Sequence, residues 1–288
     1  MHKRLRSSKL LFIIKWEEFA NMIRLIVTDL DGTLLGYDRR VKEKDREAVV
    51  RAITSGIDFA VASGRMDNEI LEVLKDIGHD AHRISQNGAF VYTSDHRLLH
   101  ERTFDRALAR SIYEQARALE AIVLVCNEQT SFVETKTEQM EQMKARLFFD
   151  IVERNDMLAA IGRDILPSKI TVIGEEHVVA SFERLVNETW APYVDTFISE
   201  PRCLDIMPKQ ISKGEALRLL MSHLQLTAEE VACFGDSFND IPMFRLTPHS
   251  FVMSHAPEQV KKEARYVVSS VHEAIETVLR INEKMPQT

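Results

Sequence analysis

What this sequence has little of narrows the reading first. Cysteine occurs only as Cys126, Cys203 and Cys233, with no C-x-x-C pair, which excludes a disulfide framework and a cysteine zinc site and makes a reducing cytoplasm the expected compartment. Cys126 and Cys233 lie in apolar runs and read as packing residues. The ten histidines form no H-E-x-x-H, and His79 and His82 fall in a polar stretch that reads as a solvated loop. A basic excess is also missing: the formal net charge of −7 argues against a general nucleic-acid surface. No apolar run is long enough to span a membrane. Leu10 to Ile14 follows Lys3, Arg4, Arg6 and Lys9 as in a signal peptide, but Lys15, Glu17 and Glu18 break the run. Trp16-Glu17-Glu18 requires purine-rich codons a short distance before Met22, as a bacterial ribosome-binding site would. Residues 1–21 are therefore expected to be translated leader, the alternative being an amphipathic arm.

What is present is an α/β pattern. Ile23 to Thr28 is a β-rich run suited to burial on both faces, and it ends at Asp29-Leu30-Asp31-Gly32-Thr33. A helix with Ala48, Val49, Ala52 and Ile53 on one side closes at Gly56, and a second apolar strand, Ile57 to Ala62, ends at Ser63-Gly64-Arg65. A helix from Glu69 to Ile77 stops at Gly78. In such parallel sheets ligands bind beyond the carboxyl ends of the strands, where both polar clusters fall. From about Phe90 the regularity stops, with a hairpin around Ser94-Asp95-His96 and strands at Ile122 to Cys126, Lys169 to Ile173, Tyr193 to Ser199 and Cys203 to Met207. The first pattern resumes with a helix from Lys213, a strand Val231 to Phe234, a strand near Phe251 and a terminal helix from Val271. The expected division is a Rossmann-like core of residues 22–88 and 208–288, with an inserted α+β domain at 89–207.

Asp29 and Asp31 stand two apart at a strand end, where alternate side chains point the same way and two carboxylates would face one pocket. One suits a nucleophile and metal ligand, the other an acid/base; a solvated turn is the plainer reading of D-x-D alone. Gly235-Asp236-Ser237-Phe238-Asn239-Asp240 follows another strand. Hard divalent cations prefer oxygen donors, which Asp29, Asp236 and Asp240 can supply. Taken singly, the same residues fit a turn and a helix cap. Ser63 can donate to a phosphate oxygen beside the backbone N–H groups of Gly64 and Arg65. Lys213, which would otherwise be a solvated lysine at a helix start, can neutralise phosphate charge.

These four elements in this order resemble the haloacid dehalogenase-like superfamily of phosphatases. More narrowly, Asp29 to Leu35 (D-L-D-G-T-L-L), Ala62 to Arg65 (A-S-G-R), Gln86 to Ala89 (Q-N-G-A), Ile211 to Leu217 (I-S-K-G-E-A-L) and Phe234 to Met243 (F-G-D-S-F-N-D-I-P-M) look like its Cof-type branch. The resemblance covers Met22 to roughly Leu279 and is thin in the insert. It implies a Rossmann-like core with an α+β cap, which agrees with the roughly 150 positions between Ser63 and Lys213. It further implies Asp29 as nucleophile and Asp31 as acid/base. Ser63, Gly64, Lys213 and Asn239 would bind phosphate, and Asp29, Asp31, Asp236 and Asp240 would form the surroundings of a magnesium ion. Ser63 replaces the more usual threonine of its motif, and Ser254-His255 replaces a frequent Gly-Asn.

The activity so implied is hydrolysis of a small phosphorylated metabolite, a sugar phosphate or cofactor phosphate, by a cytoplasmic monomer or weak homodimer without nucleic-acid or membrane partners. Three rivals stand beside it. A phosphomutase-type transferase would pass the phosphoryl group from Asp29 to a second hydroxyl. A receiver-like signalling domain would leave Asp31 and the insertion unexplained. A non-catalytic phosphate-binding relative would have no need of the intact Asp29, Asp31, Lys213 and Asp236.

Overall fold

The computed structural model describes residues 22–36, 38–137, 140 and 151–284. The expected leader, residues 1–21, lies outside them. Two sheets organise the chain. The larger has the order β14-β13-β12-β1-β2-β3-β4-β5, built from β1 (Leu25–Thr28), β2 (Asp58–Ala62), β3 (His82–Ser85), β4 (Phe90–Tyr92), β5 (Leu98–Glu101), β12 (Val231–Gly235), β13 (His249–Met253) and β14 (Tyr266–Val268). Its six strands from β14 to β3 run parallel, and β4 and β5 turn back antiparallel. The smaller sheet has the order β10-β11-β9-β6-β7-β8. It comprises β6 (Ala121–Cys126), β7 (Ser131–Val133), β8 (Ile151–Glu153), β9 (Lys169–Gly174), β10 (Val194–Glu200) and β11 (Cys203–Pro208).

The α/β reading holds in detail around β1. Alternate residues serve opposite layers, Ile26 in one apolar cluster and Leu25 and Val27 in the other. Helices α1 (Glu43–Thr54), α2 (Asp67–Ile77) and α6 (Val271–Glu283) cover the first of these layers. Helix α5 (Lys213–Leu224) covers the second through Ala216, Leu217 and Leu220. Helices α3 (Arg106–Ala116) and α4 (Glu176–Trp190) pack on the smaller sheet around Ile112, Phe182 and Ile170.

Two expectations need correcting. The hairpin read as the start of the insert belongs to the larger sheet: Ser85 pairs with Phe90 and Phe90 with Glu101. The insertion therefore leaves the core sheet after Glu101, not at residue 89. His82 is not in a solvated loop either. It opens β3 at 4% exposure, and its Nδ1 accepts from the Ser94 backbone N–H at 3.0 Å.

Candidate active site

The chain leaves β1 at Asp29 and turns at once, which puts the Asp29 carboxylate at the carboxyl edge of the sheet beside β12. Gly32 makes the turn possible. Its φ of +85° suits glycine, and a Cβ there would run into the Asp236 carboxylate. Thr33 Oγ1 donates to Asp236 Oδ1 at 2.9 Å, tying the two strand-end loops together.

Ser212 caps α5 by accepting from the Glu215 N–H at 3.1 Å. Lys213 is thereby set as the first residue of the helix with its side chain in the site. It is only 1% exposed, and its Nζ donates to Asp29 Oδ1 at 2.5 Å and to Asp240 Oδ1 at 2.7 Å. The other Asp240 oxygen accepts from the Asp236 and Ser237 backbone N–H groups, both at 2.9 Å. Ligand oxygens of Asp29, Asp236 and Asp240 all lie within 4.8 Å of one another.

Electrostatics follow from this packing. Burial holds the Asp29 carboxyl well above the usual carboxylate range; Lys213 pulls it down, while Asp240 and Asp236 push it up. Asp236 is raised by burial and by Asp240, against the Thr33 hydrogen bond. Burial alone would discharge Lys213, but the neighbouring Asp240 and Asp29 carboxylates hold its pKa above the ordinary lysine value. Three carboxylates share the single Lys213 ammonium, and this excess of hard oxygen donors fits a divalent cation.

Asp31 lines the same cavity as Asp29, as two carboxylates facing one pocket would, but stands apart from the Asp29, Asp236 and Asp240 oxygens. Its carboxylate is outside the cluster, 56% exposed, and held by the Arg65 fork: Nε donates to Oδ2 at 2.8 Å and Nη2 to Oδ1 at 2.6 Å. Strand alternation stops at Thr28, so the turn aims Asp29 and Asp31 at different neighbours. Among the metal-site expectations, Asp31 is the one whose side chain the structure does not bring in.

Ser63 directly follows β2 at 1% exposure and its Oγ accepts from the Arg65 N–H at 3.1 Å. Ser63 and Gly64 line the same cavity as Asp29, Asp31, Asp236 and Asn239. Asn239 Nδ2 donates to Asn87 Oδ1 at 3.1 Å, and its own Oδ1 is buried with no hydrogen-bond partner among the described residues. The cavity has a volume of about 700 Å³ and its far wall belongs to the smaller sheet.

Sequence reasoning missed several members of this site. It used the Arg65 backbone but not the guanidinium, although a charged side chain directly after Ser63-Gly64 was a usable signal. It also missed Asn87, and His255, whose Nε2 lies 3.6 Å from Asp236 Oδ2.

Comparison with known proteins agrees with this geometry. An Escherichia coli O157:H7 protein named HMP-PP phosphatase is 26% identical over 245 residues, covering 84% of this chain and 88% of that protein. A Buchnera aphidicola protein named putative phosphatase is 24% identical over 84% of this chain and 90% of its own length. Among solved structures, a haloacid dehalogenase-like hydrolase from Bacteroides thetaiotaomicron superposes with a TM-score of 0.81 at 28% identity, covering 89% of this chain and 99% of that one. A Thermotoga maritima crystal structure gives 0.82 at 25% identity, covering 93% and 99%. The family model for haloacid dehalogenase-like hydrolases matches residues 26–279, and the chain belongs to that family.

Proposed function

We propose that this chain is a magnesium-dependent phosphatase that hydrolyses a small phosphorylated metabolite through an aspartyl-phosphate on Asp29. The observation that carries the reading is the position of Lys213, buried between Asp240 and Asp29, the latter lining a ligand-sized cavity. Any fully buried lysine needs carboxylate partners; what points to a ligand is that this cluster stands at a strand-end turn, where parallel sheets bind ligands. Asp29 and Asp236, with Asp240 behind them, would hold magnesium, which when bound would supply charge neutralisation for the phosphoryl group.

The residues of the chain then divide the work. Asp29 attacks phosphorus as the bond to the leaving oxygen breaks, and Asp31, in its protonated form and turned from the Arg65 fork, gives that oxygen a proton. Asp31 next takes a proton from water, which attacks the aspartyl-phosphate, releases inorganic phosphate and restores Asp29. Ser63, the Gly64 backbone and Asn239 hold phosphoryl oxygens, and Lys213 offsets their charge. The smaller sheet, with the insertion crossing near residues 102 and 209, acts as a cap over the leaving group. Two relatives named as phosphatases support the reaction class; the HMP-PP in one name belongs to that protein. No described helix is long and apolar enough to cross a membrane, and we place the reaction in the cytoplasm.

The test is release of inorganic phosphate from a panel of phosphorylated metabolites. Activity is expected to vanish with a chelator and return with magnesium. Full activity in excess chelator defeats the metal assignment, and transfer to a second hydroxyl without free phosphate favours the phosphomutase alternative.

A further inference from the structure

The wall of the cavity opposite Asp29 is one face of the smaller sheet, and its register fixes which residues stand together. Thr171 on β9 pairs with Leu124 on β6 and with Asp205 on β11, while Lys169 pairs with Cys126. Lys169 and Asp205 are both largely buried, with side chains 13% and 11% exposed. Asp205 is engaged, its Oδ1 accepting from Thr171 Oγ1 at 2.6 Å. Lys169 is engaged more loosely: its one hydrogen bond among the described residues is to Asp205 Oδ2 at 3.5 Å. An ammonium has three donors, so the group lines the cavity with hydrogen bonds to spare.

Charge limits what those donors can meet. Burial would discharge Lys169, but Asp205 keeps it a cation, and Glu69 on α2 adds to the same field. The Lys169 ammonium thus stands against the Asp205 carboxylate, while Glu69 on the same cavity wall has the Arg65 guanidinium 3.9 Å away. A second phosphate on the ligand would have to compete with Asp205 for Lys169 and would be repelled by it, whereas a neutral acceptor takes the spare donors without that penalty. Around this polar spot stand Leu124, Ile173, Phe197 and Ile198, surfaces that favour an apolar body of ring size.

We infer that Lys169, positioned by Asp205 and Thr171, determines specificity by donating to the leaving group, and that the substrate is the phosphate monoester of an uncharged alcohol carrying a hydrogen-bond acceptor on a ring. This rests on the phosphatase reading of the same cavity and names the substrate class for it.

The experiment measures kcat/KM for uridine 5′-monophosphate and pyridoxine 5′-phosphate as ring probes, fructose 1,6-bisphosphate as the doubly charged probe, and phenyl phosphate as a reference lacking a ring acceptor. The unaltered protein is expected to prefer at least one ring probe to the bisphosphate. Lys169→Met should lower the ratio of that ring probe to phenyl phosphate by about tenfold or more, chiefly through KM. Asp205→Asn should move a different ratio, raising the bisphosphate relative to the ring probe by about tenfold. A purely structural role for the pair would depress all substrates together. Where melting shows Lys169→Met to be unfolded, Lys169→Arg and the Asp205→Asn ratio decide. A bisphosphate preference in the unaltered protein, or ratios unmoved in the folded variants, overturns the inference while leaving the phosphatase intact. Failure to hydrolyse any probe, phenyl phosphate included, overturns the phosphatase reading and the inference with it.

Discussion

At the scale of single residues, the two aspartates of the first loop have separate environments, and separate defects should follow. Asp29 is buried against Lys213, while Asp31 stands half in solvent against Arg65. Asp29→Asn removes the nucleophile and should abolish both turnover and any covalent phosphate. Asp31→Asn leaves Asp29 able to attack an ester with a good leaving group but cannot deprotonate water, so an adduct of one phosphoryl mass should accumulate while steady turnover collapses by about 10² or more. Rapid quench with intact-mass analysis reads both outcomes; an adduct on any residue but Asp29 contradicts the scheme. A second residue-scale prediction concerns acidity. Burial pulls the His82 imidazole below its ordinary value, against the opposing field of Asp58. The unfolded chain then binds the proton more readily than the folded one. The stabilisation is complete above the unfolded value of about 6.5 and is lost as pH falls through the folded value. Melting temperature should fall between pH 7 and pH 5. His82→Asn, whose Oδ1 can still accept from Ser94, should flatten that slope.

At the scale of elements, the turn after β1 separates two costs that glycine usually hides. Gly32 and Gly56 share a φ of +85°, but a side chain on Gly56 meets open space and one on Gly32 meets Asp236. Gly56→Ala should therefore lose stability alone, by about 1 to 3 kcal/mol. Gly32→Ala should lose a similar amount and also about 10² in turnover, because it displaces the Asp236 carboxylate. Denaturant titration and phosphate release measure the two quantities independently. Elements also explain what the sequence made legible. The β-α-β grammar and the strand-end motifs were readable because parallel strands buried on both faces are apolar throughout and their active ends are not. Strand β3 was disguised by its own chemistry: Arg83 is 2% exposed, yet it is paired with Asp67 at 2.7 Å and stacked over the Tyr92 ring at 4.9 Å. A buried, paired arginine reads as solvent from sequence alone. Asp31 shares the cavity with Asp29 as alternation suggested, but its pairing with Arg65 and not with the Asp236 and Asp240 cluster was hidden, because alternation does not extend past the last residue of the strand. The insert offered no comparable grammar, because Lys169 and Asp205 are 36 positions apart and meet only through antiparallel register.

At the scale of the whole molecule, the chain crosses between its two sheets at neighbouring points. Arg102 Nη2 donates to Gln210 Oε1 at 3.3 Å, and the Arg102 N–H donates to the Ala89 carbonyl at 2.8 Å. Replacing residues 103–209 by a short flexible linker should leave an eight-stranded sheet that melts cooperatively. Moving the cut back to residue 89 also removes β4 and β5, uncovers the edge of β3, and should yield aggregation. Circular dichroism melts and size-exclusion profiles of the two deletions compare them directly; equal behaviour would mean that β4 and β5 contribute nothing to the core.

That closeness of the two crossings bears on how such a chain can change over time. The bonds that fix Asp29, Lys213, Asp236 and Asp240 in place run among residues outside the inserted segment. A gene segment encoding a different insert, provided its ends lie equally near each other, can be spliced between Arg102 and Gln210 without rewriting the strand-end chemistry. Descent can thus hold the reaction constant while the choice of leaving group is inherited, lost or traded as a separate unit.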